Sequence, residues 1–138
     1  VTRYLLDSNA ANDYINRRLG VYERACAEVA KGNPVGISMP VLAELLAGYE
    51  RSSSREKSKL QMEEAISELR LWPFDKQACY FYAMIASQLM TTGKPIGTID
   101  MLIASTVLAM APCTIVTTDS DFQAIPGLRI DNWRTSTK

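Results

Sequence analysis

Four acids stand out in this chain for where they sit: Asp7, Glu44, Asp100 and Asp119. Asp7 ends an apolar run, Tyr4-Leu-Leu6, and is followed at once by Ser8 and Asn9. Glu44 lies inside Met39-Pro-Val-Leu-Ala-Glu-Leu-Leu-Ala-Gly48, with apolar neighbours on both sides. Asp100 lies in Gly97-Thr-Ile-Asp-Met-Leu-Ile-Ala-Ser105, and Asp119 follows the β-branched run Thr114-Ile-Val-Thr117. Alone, each has an ordinary reading. Asp7 and Asp119 suit a turn or helix cap, Asp100 suits the first turn of a helix, and Glu44 suits the one exposed stripe of a helix. Together they pose an electrostatic question. Four carboxylates share a pocket only if cations neutralise them or their pKa values rise steeply. Hard divalent ions with oxygen ligands, Mg²⁺ or Mn²⁺, answer that need. Such ions support phosphoryl chemistry by activating water and stabilising the leaving oxygen.

The composition narrows the alternatives. There is no histidine anywhere in the 138 residues, which excludes histidine triads and histidine general bases. Hydrolysis would have to use carboxylates, a lysine, a thiol or a metal. The 15 basic and 15 acidic residues cancel, which argues against a general electrostatic nucleic-acid binder but not against a local basic patch. Cys26, Cys79 and Cys113 are odd in number and widely spaced. They form no zinc-ligand pair, read as buried reduced thiols, and point to a cytoplasmic location. No apolar run reaches membrane-spanning length. Asp7 interrupts the first one, so no signal peptide is expected.

The acids need elements to carry them. The pattern predicts strands over Thr2–Leu6, Val35–Ser38, Leu71–Phe74, Thr114–Thr117 and Leu128–Ile130. Between them it predicts a helix capped by Asn9. A second runs over Val21–Lys31 with Tyr22, Ala25, Cys26 and Val29 on one face, and Gly32-Asn33-Pro34 ends it. A third runs from Pro40 to Ala47, with Gly48 as its stop. A long one runs from Ser54 to Leu69. One capped by Asp75 reaches about Met90, and one capped by Thr98 reaches about Met110. A short helical turn follows Asp119. Strands alternating with helices imply α/β architecture: a three-layer α/β/α sandwich around a mainly parallel sheet of about five short strands, as one domain over 1–138. In such sheets ligands bind beyond the carboxyl ends of the strands, where strand order reverses. Asp7 and Asp119 follow strands and so point to that edge.

The motifs then resemble a known family, the PIN-domain ribonucleases, and more narrowly the VapC-type toxins of toxin–antitoxin pairs. Leu5-Leu-Asp-Ser-Asn9 resembles the family's opening motif and Val41-Leu-Ala-Glu-Leu45 its second. Gly93-Lys-Pro-Ile-Gly-Thr-Ile-Asp-Met-Leu-Ile-Ala104 resembles its third. Val116-Thr-Thr-Asp-Ser-Asp-Phe122, with Ile125-Pro-Gly-Leu128 and Asn132-Trp133, resembles the fourth motif and tail. The resemblance covers nearly the whole chain in the same order and spacing. It implies a metal-dependent endoribonuclease that cleaves RNA by metal-activated water. The acidic quartet would be Asp7, Glu44, Asp100 and Asp119. Asp7 and Asp100 would be the most direct metal ligands, joined by Asp119, while Glu44 and Asp119 would complete the site or position water. Asn9 and Thr117 would hold carboxylates by hydrogen bonds. Ser8 stands where many relatives have threonine and keeps the hydroxyl, and Asp121 is a possible fifth acid.

The resemblance also implies RNA as substrate, a homodimer, and a small cognate antitoxin that occludes the site. Tyr80, Phe81, Tyr82 and Met84 crowd one helix and are candidates for a partner surface, although an ordinary core stripe accounts for at least half of them. Arg51, Arg55, Lys57 and Lys59 are candidates for an RNA path, against the simpler reading of a solvated face. A dehalogenase-like phosphatase needs a second acid at position 9, where Asn9 stands. A response-regulator receiver needs its acid after the third strand, where Asp75 reads as a helix cap. A catalytically silent PIN fold acting as a binding module is the remaining alternative.

Overall fold

In the computed structural model the described residues are 1–52, 55–93 and 95–135, with the side chains of 55–58 outside the description. Five strands form one sheet in the order β3-β2-β1-β4-β5, and every neighbouring pair is parallel. They are β1 (Arg3–Leu6), β2 (Val35–Ser38), β3 (Arg70–Trp72), β4 (Cys113–Val116) and β5 (Arg129–Asp131). The three central strands are mostly apolar because a parallel sheet is covered on both faces. Every residue of β2 and β4 is buried, as are Leu5 and Leu6 of β1.

Among the described residues six helices connect them: α1 (Ser8–Ile15), α2 (Val21–Ala30), α3 (Met39–Glu50), α4 (Arg55–Ser67), α5 (Lys76–Thr92) and α6 (Thr98–Ala109). The chain steps outward from β1 to β2 to β3, then jumps back across β1 to β4. Right-handed crossovers therefore place α1 to α4 on one face and α5 and α6 on the other. The packing agrees, since α1 lies against α2, α3 and α4, while α5 lies along α6. This is the expected three-layer arrangement, and its sheet is wholly parallel. The reversal of direction falls between β1 and β4, and Leu6 pairs with Val116 there. No helix among the described residues is long and apolar enough to cross a membrane.

Several local expectations change. Asp7, not Asn9, caps α1, because the helix starts directly at the strand end and leaves no room for a longer turn. In α2 the buried face carries Val21, Ala25 and Glu28, while Val29 is 57% exposed. The stripe is rotated because Glu28 turns inward, held by Arg24 Nε at 2.8 Å and Asn33 Nδ2 at 2.9 Å. Helix α3 continues through Gly48 to Glu50, where Leu45 and Tyr49 pack against the core. Gly97 rather than Thr98 occupies the cap of α6. Cys113 is buried, but Cys26 and Cys79 are exposed, because the smaller Ala25 and Ala78 beside them take the core positions. On α5, Tyr80 and Met84 are exposed, Phe81 and Tyr82 are half-buried, and the core positions belong to Ala78, Ile85 and Leu89.

Candidate active site

The site is built where β1 and β4 end side by side. Asp7 leaves β1 with its backbone N–H donating to Val116 O at 3.0 Å, so the two strands are still paired at this residue. Its side chain has two tasks. Oδ1 accepts from Ala10 N at 2.8 Å and caps α1. Oδ2 accepts from the Thr117 hydroxyl at 2.5 Å. Asp7 is only 5% exposed, and burial is the main cause that pushes its pKa up. The hydrogen bonds from Thr117 and Ala10 pull it back, while the charges of Asp119 and Asp13 add to the rise.

Thr117, itself buried, passes the order on. Its hydroxyl accepts from Asp119 N at 2.9 Å while donating to Asp7. Asp119 Oδ1 in turn accepts from Asp121 N at 2.9 Å and caps the short 3-10 turn Ser120–Ala124. One relay of hydrogen bonds thus runs from Asp7 through Thr117 to Asp119 and Asp121. From the other side, the Ser8 hydroxyl on α1 donates a short hydrogen bond to Glu44 Oε1 on α3. Glu44 is exposed, at the edge of the α3 face that buries Val41 and Leu45.

Asp100 is where these acids meet electrostatically. It lies half-buried in the first turn of α6, a helix whose following turns, Ile103 to Val107, are buried. Its carboxyl is pushed up to about 6, first by burial and then by the charges of Asp119, Glu44, Asp7 and Asp121. All four other acids therefore act on Asp100. None of the five has an ion-pair partner among the described residues; the ion pairs there fall on Asp13, Glu28 and Asp131. No three His, Cys, Asp or Glu side chains among the described residues are gathered tightly enough to chelate an ion.

The remaining candidates divide. Thr117 bonds the carboxylate of Asp7, and Ser8, for which the sequence suggested only a retained hydroxyl, bonds that of Glu44. Asn9 is exposed and holds none, because the cap position that would have aimed it is taken by Asp7. Arg51 and Lys59 are exposed, and the side chains of Arg55 and Lys57 lie outside the described residues. Two grooves adjoin the acids. One, lined by Asn12, Asn16, Tyr49 and Gln61, includes Glu44. The other, lined by Pro95, Ile96, Ser120 and Gln123, includes Asp121. The sequence reading missed Asp13, a 1% exposed carboxylate on α1 bound by Arg134. Its signal was present: Asp13 shares a helical face with Ala10 and Tyr14, both of them core residues.

Comparisons with known proteins agree with this geometry. The PIN domain family model matches residues 4–128. The chain is 31% identical to Ribonuclease VapC2 of Rickettsia felis over 94% of this chain and 97% of that one. It is 29% identical to the tRNA(fMet)-specific endonuclease VapC of Salmonella typhimurium over 95% of this chain and 98% of that one. Among solved structures it matches a chain of Rickettsia felis VapBC2, bound to a DNA fragment from their promoter, with a TM-score of 0.87 and 32% identity over 95% and 98% of the two chains. A chain of DNA-bound VapBC from Salmonella typhimurium gives the same TM-score of 0.87 with 30% identity over 96% and 99%. With the acids, their hydrogen-bond relay and the strand order all in place, the chain belongs to the PIN-domain family, in its VapC ribonuclease branch.

Proposed function

We infer that the chain is a metal-dependent endoribonuclease, the toxin of a VapBC-type toxin–antitoxin pair, with Asp7, Glu44, Asp100 and Asp119 as its catalytic acids. The observation that carries this reading is the convergence of carboxylates where β1 and β4 end: the Thr117 hydroxyl joins Asp7 to Asp119, and the charges of Asp119, Glu44, Asp7 and Asp121 all press on the carboxyl of Asp100. The donor set is all carboxylate oxygen, which suits Mg²⁺ or Mn²⁺ rather than softer ions. A bound divalent ion supplies charge neutralisation and makes water acidic enough to attack at neutral pH.

The chain's own residues do the rest. Thr117 and Ala10 fix both oxygens of Asp7, so its orientation is set before substrate arrives. Asp7, Asp100 and Asp119 would hold the ion, and Asp121 would add charge at the rim. Glu44 is exposed and is aimed by Ser8, a geometry suited to orienting water and accepting its proton. The grooves at Glu44 and at Asp121 offer a single RNA strand a path across the acids.

The partners in this reading are RNA, a cognate antitoxin and a second copy of the chain. The solved Rickettsia felis and Salmonella typhimurium neighbours are VapBC complexes, which supports the antitoxin. The test is cleavage of RNA by the purified chain with Mg²⁺ or Mn²⁺, beside EDTA and Asp7→Asn controls. Cleavage that requires both the ion and Asp7 establishes the reading. No cleavage together with no ion binding would leave a silent PIN fold that acts by binding.

A further inference from the structure

Beneath the acidic pocket lies a second layer of charge. Asp13 is 1% exposed and sits on α1, the helix that Asp7 caps. Arg134 reaches it from the C-terminal segment, with Nε at 2.7 Å from Oδ2 and Nη2 at 3.4 Å from Oδ1. This is a two-point guanidinium–carboxylate contact between residues 121 positions apart. The segment that presents Arg134 is anchored on both sides. Trp133 is buried and stacks on Tyr4 at 5.0 Å, and Thr135 N donates to Leu19 O at 2.8 Å. Arg18 also approaches Asp13, but at 3.6 Å and from a side chain that is 59% exposed.

The pair does more than staple the tail to α1. Asp13 acts on Asp7 through space, and Asp7 acts on Arg134. Asp7 has no ion-pair partner of its own among the described residues. The Asp13 charge is shielded from water by burial and is screened by salt less than a surface charge, whereas Arg134, with a side chain 38% exposed, is screened more.

We propose that Asp13 and Arg134 are positioning residues that set the net charge beneath Asp7, and through it the affinity of the acidic pocket for a divalent cation. Paired, they contribute no net charge, and the pocket's pull on a cation comes from its own acids. Removing Asp13 leaves the Arg134 cation, removing Arg134 leaves the Asp13 anion faced only by the more distant, exposed Arg18, and the two removals act in opposite directions. This rests on the reading of the pocket as a cation site. It concerns residues that touch neither ion nor RNA.

The experiment is Mn²⁺ titration by calorimetry, at fixed ionic strength and without RNA, on the wild-type chain and four variants. Asp13→Asn leaves the Arg134 cation and is expected to weaken Mn²⁺ binding about threefold or more. Arg134→Gln leaves the Asp13 anion and is expected to tighten it by a similar factor. The double variant Asp13→Asn, Arg134→Gln is neutral and folds without a stranded charge, so its affinity is expected within about twofold of wild type. Arg134→Lys keeps the charge but not the two-point contact, and is expected to lose melting temperature while keeping affinity. A staple alone predicts otherwise: every variant would bind Mn²⁺ more weakly in step with its loss of melting temperature, the double variant included. That outcome overturns the inference while leaving the cation site intact. Absence of Mn²⁺ binding by the wild-type chain would overturn the reading of the pocket and this inference together.

Discussion

The Thr117 hydroxyl donates to Asp7 Oδ2 at 2.5 Å across 110 residues of chain, and the two side chains are both almost fully buried. The register of the sheet makes this contact, since β1 and β4 pair through Leu6 and Val116 and the next residue on each strand is Asp7 or Thr117. Thr117 also accepts from Asp119 N, so a single hydroxyl links two of the four proposed catalytic acids. Asp7 is thereby oriented by the fold itself, before any ion or substrate is present.

Removing that hydroxyl should therefore affect pH dependence as well as rate. The Thr117 bond lowers the Asp7 pKa against burial, so Thr117→Val leaves burial opposed only by the Ala10 bond and the pKa climbs further. The acid limb of the pH–rate profile is expected to move to higher pH. Stability is expected to fall by about 1–3 kcal/mol, because Asp119 N also loses its acceptor. Thr117→Ser keeps the donor and is expected to restore both. Profiles of kcat/KM against pH on a model RNA, with Mg²⁺ fixed, check this.

Asp100 carries a cost in the ion-free protein that can be measured directly. Its folded pKa, about 6, lies above its ordinary value of 3.8. Between those values the folded state binds more protons than the unfolded state, so stability falls as pH rises through that window and the full cost is present above pH 6. Asp100→Asn removes it. The ion-free variant is expected to be more stable than wild type at pH 7.5 by about 1–2 kcal/mol, a figure reduced for the solvent that reaches this half-buried group. Below pH 4 the two should melt together. Thermal melts in EDTA at pH 7.5 and at pH 3.5 decide it, and an unchanged or lower melting temperature at pH 7.5 would refute a crowded acidic site.

The same repulsion sets the response to ions. Mg²⁺ or Mn²⁺ should raise the melting temperature at pH 7.5 and do so much less at pH 5, where Asp100 is mostly protonated. Asp119→Asn should reduce the shift, and Asp7→Asn should nearly abolish it. A shift of equal size at both pH values would argue that the ion binds elsewhere.

Much of this was legible before the fold was known, because each acid announced itself by position. Asp7 and Asp119 end runs of strand-forming residues, and a parallel sheet sends such residues to one edge. What could not be read was which neighbour holds which oxygen. Asn9 is in the family's opening motif, yet Asp7 takes the cap and Asn9 faces solvent. The α2 stripe was misread because periodicity places Glu28 outside, and only tertiary partners, Arg24 and Asn33, make its burial tolerable. Asp13 differs: its place on the core face beside Ala10 and Tyr14 is legible, but its partner Arg134 lies at the far end of the chain.

Glycine at position 36 is a fold requirement that periodicity also conceals. A β-carbon there would lie 2.4 Å from the Arg70 carbonyl oxygen and 2.9 Å from its carbon, both backbone atoms of the adjacent strand. Gly36→Ala must push β2 from β3, and the cost is expected at about 1–3 kcal/mol or more. Because α3 follows β2 directly and carries Glu44, activity should fall further than the fraction folded accounts for. Denaturant melts beside cleavage rates normalised to folded protein measure both.

Ser8 and Glu44 give the sharpest division between binding and chemistry. Ser8 opens α1, is half-buried, and spends its hydroxyl on Glu44 Oε1. Glu44 has no other hydrogen bond or ion pair among the described residues, so without Ser8 its carboxylate is free to swing in solvent. Ser8→Ala should therefore leave the fold and ion affinity close to wild type, since Asp7 and Asp119 keep their own partners. It should lower kcat by about threefold to tenfold, the loss expected when a general base is present but poorly aimed. Glu44→Gln should cost about 10²-fold or more, because the base itself is gone. Ser8→Thr keeps the hydroxyl and should restore the rate. Single-turnover cleavage at saturating Mn²⁺ separates these cases. If Ser8→Ala instead weakens ion binding and leaves the saturated rate unchanged, Glu44 belongs with the ion-holding acids and water is oriented by another group.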